Sequence, residues 1–500
     1  MPYPPRDGEV INCDVLVIGS GAGGGTIAGV LAAAGRAVVV LEAGGAHTER
    51  HFRQEEYWAR ENLYYRGGPG PTADGNVILY AGATLGGGTT INWQNWVAPS
   101  ANVRAEWAEH GLTDLATTEF DRHLAAVSAR VGANGDCSDR NGPHQRLVEG
   151  ADKLGWSWRP AVRNSDPARH NPALAGYAHF GDLTGAKQGT LKTYLADASA
   201  AGAKILVRTH ADRIERSSGR GGTVHASGPF GQITVNAKDI VVAGGALETP
   251  ALLLRSGLGG PAVGRNLHLH PATMVFGEYA EELRGWWGPP QAAIVDEFRE
   301  RDGNGWIIEN SHFYPGTWAL QLGWNSGQAH KELVSRMSRM ALWLFIIRDR
   351  GSGSVALDPA GEPLHYYPLS DELDKRHFRD GLASLIRLHE AAGAERIHYS
   401  IMGIEPWERG QDIERWTDRL RVLPFGLGGL PAGSAHQMGT ARMGTDPATS
   451  VATPRGELHD APGVWIGDTS AFPTASGGNP MFTCMALAHR TAENLLGDMP

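Results

Sequence analysis

The chain of 500 residues carries 45 Lys and Arg against 54 Asp and Glu, a formal net charge of -9, with no basic block. That balance argues against nucleic acid or an anionic membrane surface as the main partner. Hydrophobic residues at 41% and charged residues at 20% match an ordinary soluble globular protein, and a chain this long is expected to form two or three folding regions. Cys13, Cys137 and Cys484 stand far apart, so neither a disulfide framework nor a C-x-x-C metal motif is expected. With no apolar leader in residues 1–10 and no membrane-length apolar run, the expectation is a cytoplasmic protein with no bound metal.

Residues 13–18, Cys-Asp-Val-Leu-Val-Ile, predict a buried strand, followed by the G-x-G-x-x-G turn Gly19-Ser20-Gly21-Ala22-Gly23-Gly24. A helix from Thr26 to Ala34 and a second strand ending at Glu42-Ala43 complete a βαβ unit. Gly19 permits the tight turn, Gly21 lets backbone amides approach a diphosphate, and Gly24 lets the helix lie close to the strand. Amides at the helix start face the diphosphate, and Glu42 is placed to accept from a ribose hydroxyl. A dinucleotide site is therefore expected, and this motif alone does not choose between FAD and NAD.

Residues 47–75, rich in Tyr, Trp, Arg and Glu, suggest either a lid or an irregular surface loop. A short strand at 77–80 leads into a second glycine cluster, Gly82 to Trp93, and a helical region spans about 102–131. Residues 132–188 are polar and predict a long loop. A helix-like stretch at 189–201, strands at 203–209 and near Val224 and Ile233, and the buried strand 239–243 then lead into the turn Gly244-Gly245-Ala246. From 274 to 427 the composition shifts to aromatic strands with one long amphipathic helix, about 371–392. The nucleotide-binding region is thus assigned to 10–131, 189–273 and 428–500, with 274–427 as a substrate domain.

Residues 245–259, GALETPALLLRSGLG, resemble the second signature of the glucose–methanol–choline (GMC) oxidoreductases, and 82–92 resembles the first. A third match runs through Ala435–Thr440, Val464–Ser470 and Asn479–Thr483. The branch most similar is that of long-chain (fatty) alcohol oxidases, through 266–271 (NLHLHP), 348–353 (RDRGSG) and 441–447 (ARMGTDP). One departure is Tyr177–Asp182, which lacks the cysteines of that branch. The resemblance implies an α/β fold with a Rossmann-like FAD-binding domain and an antiparallel-sheet substrate domain. It also implies FAD contacts at Gly19, Ser20, Gly21, Ala22, Gly23, Gly24, Glu42, Ala43, Gly82, Thr84, Gly87, Gly88, Asn92, Ala211, Ala243, Gly244, Asp468, Thr469, Asn479, Pro480 and Met481. Residues 82–96 contain no histidine for a covalent link, so the FAD is expected to be dissociable.

Alcohol oxidation needs a hydride acceptor, a base for the hydroxyl proton and a polar group that fixes the oxygen. His436 is the expected base and Asn479 the expected partner, although Asn479 could equally cap the helix after it. The product is an aldehyde or ketone, and O2 or another acceptor such as a quinone or cytochrome reoxidises the flavin. A lyase or decarboxylase variant is the rival chemistry. His268 and His270 are expected to serve packing rather than a metal. The tryptophans at 286, 287, 306, 318, 324 and 343 could line an apolar pocket or form the core of a sheet.

Overall fold

The computed structural model describes residues 2–499 except 313, 323, 402 and 427, and leaves the side chains of 318 and 321 undescribed. The run Val15–Ile18 of strand β1 (Glu9–Ile18) is buried throughout, as befits a strand covered on both faces. Val15 and Val17 meet Ile27 and Leu31 of helix α1 (Ala22–Ala33), while Leu16 and Ile18 belong to a core with Trp107, Phe120 and Leu252. Parallel pairing joins β1 to β2 (Val38–Glu42) on one side and to β3 (Gly231–Val242) on the other. The strands Lys204–Val207 and Val464–Ile466 extend the parallel order, and the antiparallel strands His210–Arg216 and Gly222–Gly228 complete seven.

Register decides where the site lies. Ile18 pairs with both Leu41 and Val242, and Val242 pairs with Ile466, so four parallel strands end at one level. The turns Gly19–Gly24, Glu42–Ala43, Ala243–Gly244 and Gly467–Asp468 therefore emerge side by side at the carboxyl edge, the usual ligand face of such sheets. Helix α2 (Gly245–Ser256) follows β3 directly.

A ten-stranded mixed sheet forms the second layer, with β4 (Ala272–Glu278), β5 (Trp306–Asn310) and β6 (Met340–Ile347) paired antiparallel at its centre. The two-residue alternation of a strand sorts their side chains. Val275, Trp306, Ile308, Trp343 and Phe345 face helix α3 (Glu372–Ala391), capped by Asp371 as its polar N-terminus predicts. Ala272, Met274, Ile307, Leu344 and Ile346 occupy the other face. Trp306 and Trp343 are thus core residues, Trp287 and Trp324 are exposed, Trp286 is half-buried, and the Trp318 side chain lies outside the described residues.

The expectation of a long loop at 132–188 is corrected. A 13-residue helix, Gly142–Leu154, is capped by Asn141 and packs against α3, and Trp158–Pro160 forms the edge of the second sheet. Part of the first region also crosses over, since Val77–Leu79 pairs in the second sheet with Ala432–Ser434.

Candidate active site

The two layers enclose a cavity of ≈ 820 Å³. Its walls include Gly19, Ser20, Gly21, Ala22, Gly23, Glu42, Ala43, Gly82, Gly87, Gly88, Asn92, Ala211, Ala243, Gly244, Asp468 and Thr469 from the strand-end turns and glycine clusters. His436, Asn479, Pro480 and Met481 line the same space. Two of the expected contacts do not. Gly24 is spent on packing, since a Cβ there would stand 2.1 Å from the Gly19 carbonyl oxygen and 3.0 Å from Ala243 Cβ. Thr84 is buried with its hydroxyl donated to the Gly45 carbonyl at 3.0 Å.

Glycine geometry fits these walls to an extended dinucleotide. Gly87 has φ +51°, and a Cβ on it would meet Gly21 Cα at 2.8 Å, so the two glycine turns approach backbone to backbone. A Cβ on Gly23 would fall 1.8 Å from the Gly467 carbonyl oxygen, which fixes the start of α1 against the Gly467–Asp468 turn. Helix α1 begins at Gly21 with no side-chain cap, leaving its first amides for an anion. Glu42 accepts from the Ser20 amide at 3.1 Å, the Ser20 hydroxyl and the Gly44 amide at 2.7 Å, and burial raises its pKa. Asp468 accepts from Gly245 N at 2.7 Å, Thr249 Oγ1 at 2.6 Å and Ser470 N at 2.7 Å, and burial again raises its pKa.

Asn92 caps the Gln94 amide at 3.3 Å through Oδ1 and reaches Met481 Sδ at 2.8 Å through Nδ2. Its carbonyl is one of three, with those of Thr90 and Ala178, that accept from Lys187 Nζ at 2.7–2.9 Å. Lys187 is buried, which lowers its pKa to about 7, and it ties the first glycine cluster to the 178–187 segment.

The expected catalytic pair comes from two places. His436 sits in a loop after the strand Ala432–Ser434, with its amide donated to Ser434 Oγ at 3.0 Å. Asn479 lies two positions before the first residue of α4 (Met481–Asp498), whose cap position is Pro480 with no side-chain bond, so Asn479 is not spent as a cap. Sequence reasoning set His270 aside, yet it lies against His436 with Nδ1 3.2 Å from His436 Nδ1. The Gly477 amide donates to His270 Nε2 at 3.0 Å. A neutral His270 therefore carries its proton on Nδ1 and donates it to His436 Nδ1, which leaves the His436 proton on Nε2. Burial lowers the pKa of His270 to about 4 and of His436 to about 3, so both rings are neutral near pH 7. Asp349 supports this arrangement from behind, accepting from His268 Nδ1 at 3.2 Å, the Leu269 and His270 amides and Tyr367 OH at 2.8 Å. His268 and His270 are thus both held by hydrogen bonds within this buried cluster.

Glu309 was also missed. It is fully buried on the cavity-facing side of β5, opposite Leu344, and lines the cavity. Its carboxyl accepts from Asn95 Nδ2 at 2.8 Å and Gln291 Nε2 at 2.6 Å, and burial raises its pKa to about 7. Asn479 Oδ1 has no protein partner. The only available sequence signal was a charge inside the otherwise apolar run Trp306-Ile307-Ile308-Glu309. Past this polar cluster the walls turn apolar, with Ala272, Met274, Phe276, Leu344 and Ile346.

Sequence models of the GMC oxidoreductase family match residues 60–272 and 349–488. Two Arabidopsis thaliana proteins are similar along nearly the whole chain. The long-chain-alcohol oxidase FAO4A is 32% identical over 510 residues, covering 97% of this chain and 69% of its own length. The long-chain-alcohol oxidase FAO3 is 33% identical over 518 residues, covering 97% and 68%. Among solved structures, pyridoxine 4-oxidase from Mesorbium loti superposes with a TM-score of 0.73 at 17% identity, covering 98% of this chain and 100% of that one. Among the described residues, no helix is long and apolar enough to cross a membrane.

Proposed function

The chain belongs to the GMC oxidoreductase family and is an oxidoreductase of alcohol-type donors; from that premise we propose that it is an FAD-dependent oxidase of long-chain primary alcohols. The observation that carries this reading is that His436 and Asn479 line one cavity with the strand-end glycine turns and an apolar wall. The relatives' printed names supply the long-chain substrate and oxygen as electron acceptor.

The uncapped start of α1 and the Gly82–Gly88 backbone would hold the diphosphate of FAD, Glu42 its ribose, and Asp468 with the start of α4 its flavin end. Bound there non-covalently, FAD supplies the hydride acceptor. The alcohol carbon gives up a hydride and its hydroxyl proton is released to solvent, leaving an aldehyde; when O2 is the acceptor, it takes up the hydride and one proton as hydrogen peroxide.

The protein's part is to orient and polarise the hydroxyl. The general-base role expected for His436 requires a lone pair on Nε2, but the Gly477–His270 hydrogen bond directs that lone pair to Nδ1. His436 instead donates Nε2–H to the alcohol oxygen, stabilising the alkoxide character that develops there. The Asn479 amide, on the same wall of the cavity, fixes the alcohol oxygen. Met274, Phe276, Leu344 and Ile346 exclude water and seat the alkyl chain.

Anaerobic mixing of the holoprotein with primary alcohols of rising chain length tests the function through loss of flavin absorbance. Admitting air then measures hydrogen peroxide. No bleaching in the dark by any alcohol sinks the proposal and favours a lyase or decarboxylase. Bleaching without peroxide, but with reduction of a quinone or cytochrome, makes the protein a dehydrogenase. Donor and base roles separate in His436→Gln, which keeps an N–H but no basic nitrogen: it should far exceed His436→Ala in flavin reduction rate, and equal failure of the two restores the base.

A further inference from the structure

We propose that His123, His489 and Glu493 form a binding site for a borderline divalent metal ion of the Zn2+ class, set between two packed helices and apart from the alcohol cavity. None of the three lines that cavity. Helix Thr118–Val131 packs along α4, and each helix presents one Glu–His pair at a spacing of four residues, Glu119 with His123 and His489 with Glu493. That spacing puts both members of a pair on one helix face. The two faces meet, with the imidazoles edge-on at an interplanar angle of 61° and their Nδ1 atoms 3.0 Å apart. Sequence spacing leaves no trace of this meeting, because the histidines lie 366 positions apart.

Lone pairs converge here faster than protons can satisfy them. Between the two Nδ1 atoms there is room for one proton, and Glu493 Oε1 brings a further acceptor 3.6 Å from His489 Nδ1. A single cation would serve all three atoms. With Zn–N bonds of about 2.1 Å, nitrogens 3.0 Å apart subtend roughly 90–95° and the 3.6 Å edge roughly 120°, both within reach of a tetrahedral ion. The three ligand atoms lie within 4.8 Å of one another, and Glu493 is exposed enough to turn its carboxylate inward. Two imidazoles and one carboxylate favour Zn2+ over Mg2+ or Ca2+, which take oxygen ligands, and they leave a fourth position for water. Glu119 Oε1, 3.8 Å from His123 Nε2, is placed to orient that ring from its far side, the usual task of a carboxylate behind a metal-bound histidine.

Arg122 is the competitor. Its guanidinium donates to Glu493 Oε1 at 2.8 Å, to Glu493 Oε2 at 2.5 Å and to Glu119 Oε1 at 2.6 Å, and it stands 3.4 Å from His123 Nε2. Half-exposed, it can swing into solvent and release both carboxylates to the ion. The ion would then clip α4 to helix Thr118–Val131, since His489 lies about two turns after Met481 at the cavity wall.

Tag-free holoprotein, stripped with a chelator and dialysed against Zn2+, tests this by metal analysis and calorimetry, with FAD content and Tm as fold controls. One tightly held Zn2+ per chain is expected, and Mg2+ should not displace it. His489→Ala should abolish the binding, and Glu119→Gln should weaken it about 10- to 100-fold. Arg122→Gln should tighten it by removing the rival cation. X-ray absorption at the zinc edge of the wild type, which needs no variant, should show two imidazoles and no sulfur. The proposal is overturned by a wild type that takes up no stoichiometric Zn2+, by an affinity unchanged in His489→Ala, by weaker binding in Arg122→Gln, or by a thiolate on the ion.

Discussion

Gly23 offers the sharpest test of how the dinucleotide site is assembled. In Gly23→Ala the new Cβ would lie 1.8 Å from the Gly467 carbonyl oxygen, 2.8 Å from its carbon and 3.0 Å from Asp468 Cα. All three are backbone atoms, so no side chain can swing aside. Either α1 or the Gly467–Asp468 turn must retreat by more than an ångström, although Val464–Ile466 is held in register on β3 and Gly467 N donates to Val242. Overpacking typically costs ~1–3 kcal/mol, and rigid walls on both sides place this case near the top of that range. If the strain falls on the geometry that binds FAD, ~3 kcal/mol corresponds to about 100-fold weaker binding. FAD per chain from absorbance, with fluorescence titration of apoprotein, measures it directly. Gly132→Ala is the comparison. Gly132 ends a helix at φ +63° with nothing within 4 Å of an added Cβ, so about 1 kcal/mol of stability should be lost with FAD affinity unchanged. Wild-type FAD affinity in Gly23→Ala would refute the claim that this contact sets the site.

Acid should destabilise the protein well above the carboxylate range. Burial lowers the pKa of His270 and His312 to about 4 and of His389 and His436 to about 3. Below about pH 6.5 the unfolded chain binds protons that the folded one refuses, so stability falls by about 1.4 kcal/mol per pH unit per histidine until pH approaches 4. Tm should therefore drop steeply between pH 7 and 5, and a flat profile would mean these rings are charged when folded. Leu344→Trp should shorten the alcohol the enzyme prefers, lowering kcat/KM for a long chain about 10-fold or more while sparing a short one. An unchanged chain-length profile would remove the apolar wall from the substrate path.

Glycine turns were readable in the sequence because a close backbone approach leaves few alternatives to glycine, and Gly19, Gly21, Gly23 and Gly87 carry that trace. The buried parallel strands were readable as continuous apolar runs. Helix Gly142–Leu154 was harder, since Asn, Asp and His around it mimic a loop while its apolar positions, Leu147, Val148 and Ala151, are few. Lys187 and Glu309 were missed for a different reason. Their surroundings depend on carbonyls and amides contributed by other segments, Thr90 and Ala178 for one, Asn95 and Gln291 for the other. His270 was read as a packing residue, and its contact with His436, 166 positions away, left no local trace in the sequence.

The central strands of the second layer act as a party wall. Positions 274, 344 and 346 line the chamber, while 275, 343 and 345 face the helical layer behind. A lineage could thus exchange its alcohol without disturbing the scaffold. A single inserted residue in β5 would swap both rooms at once, driving a carboxylate into oil and an indole into the chamber.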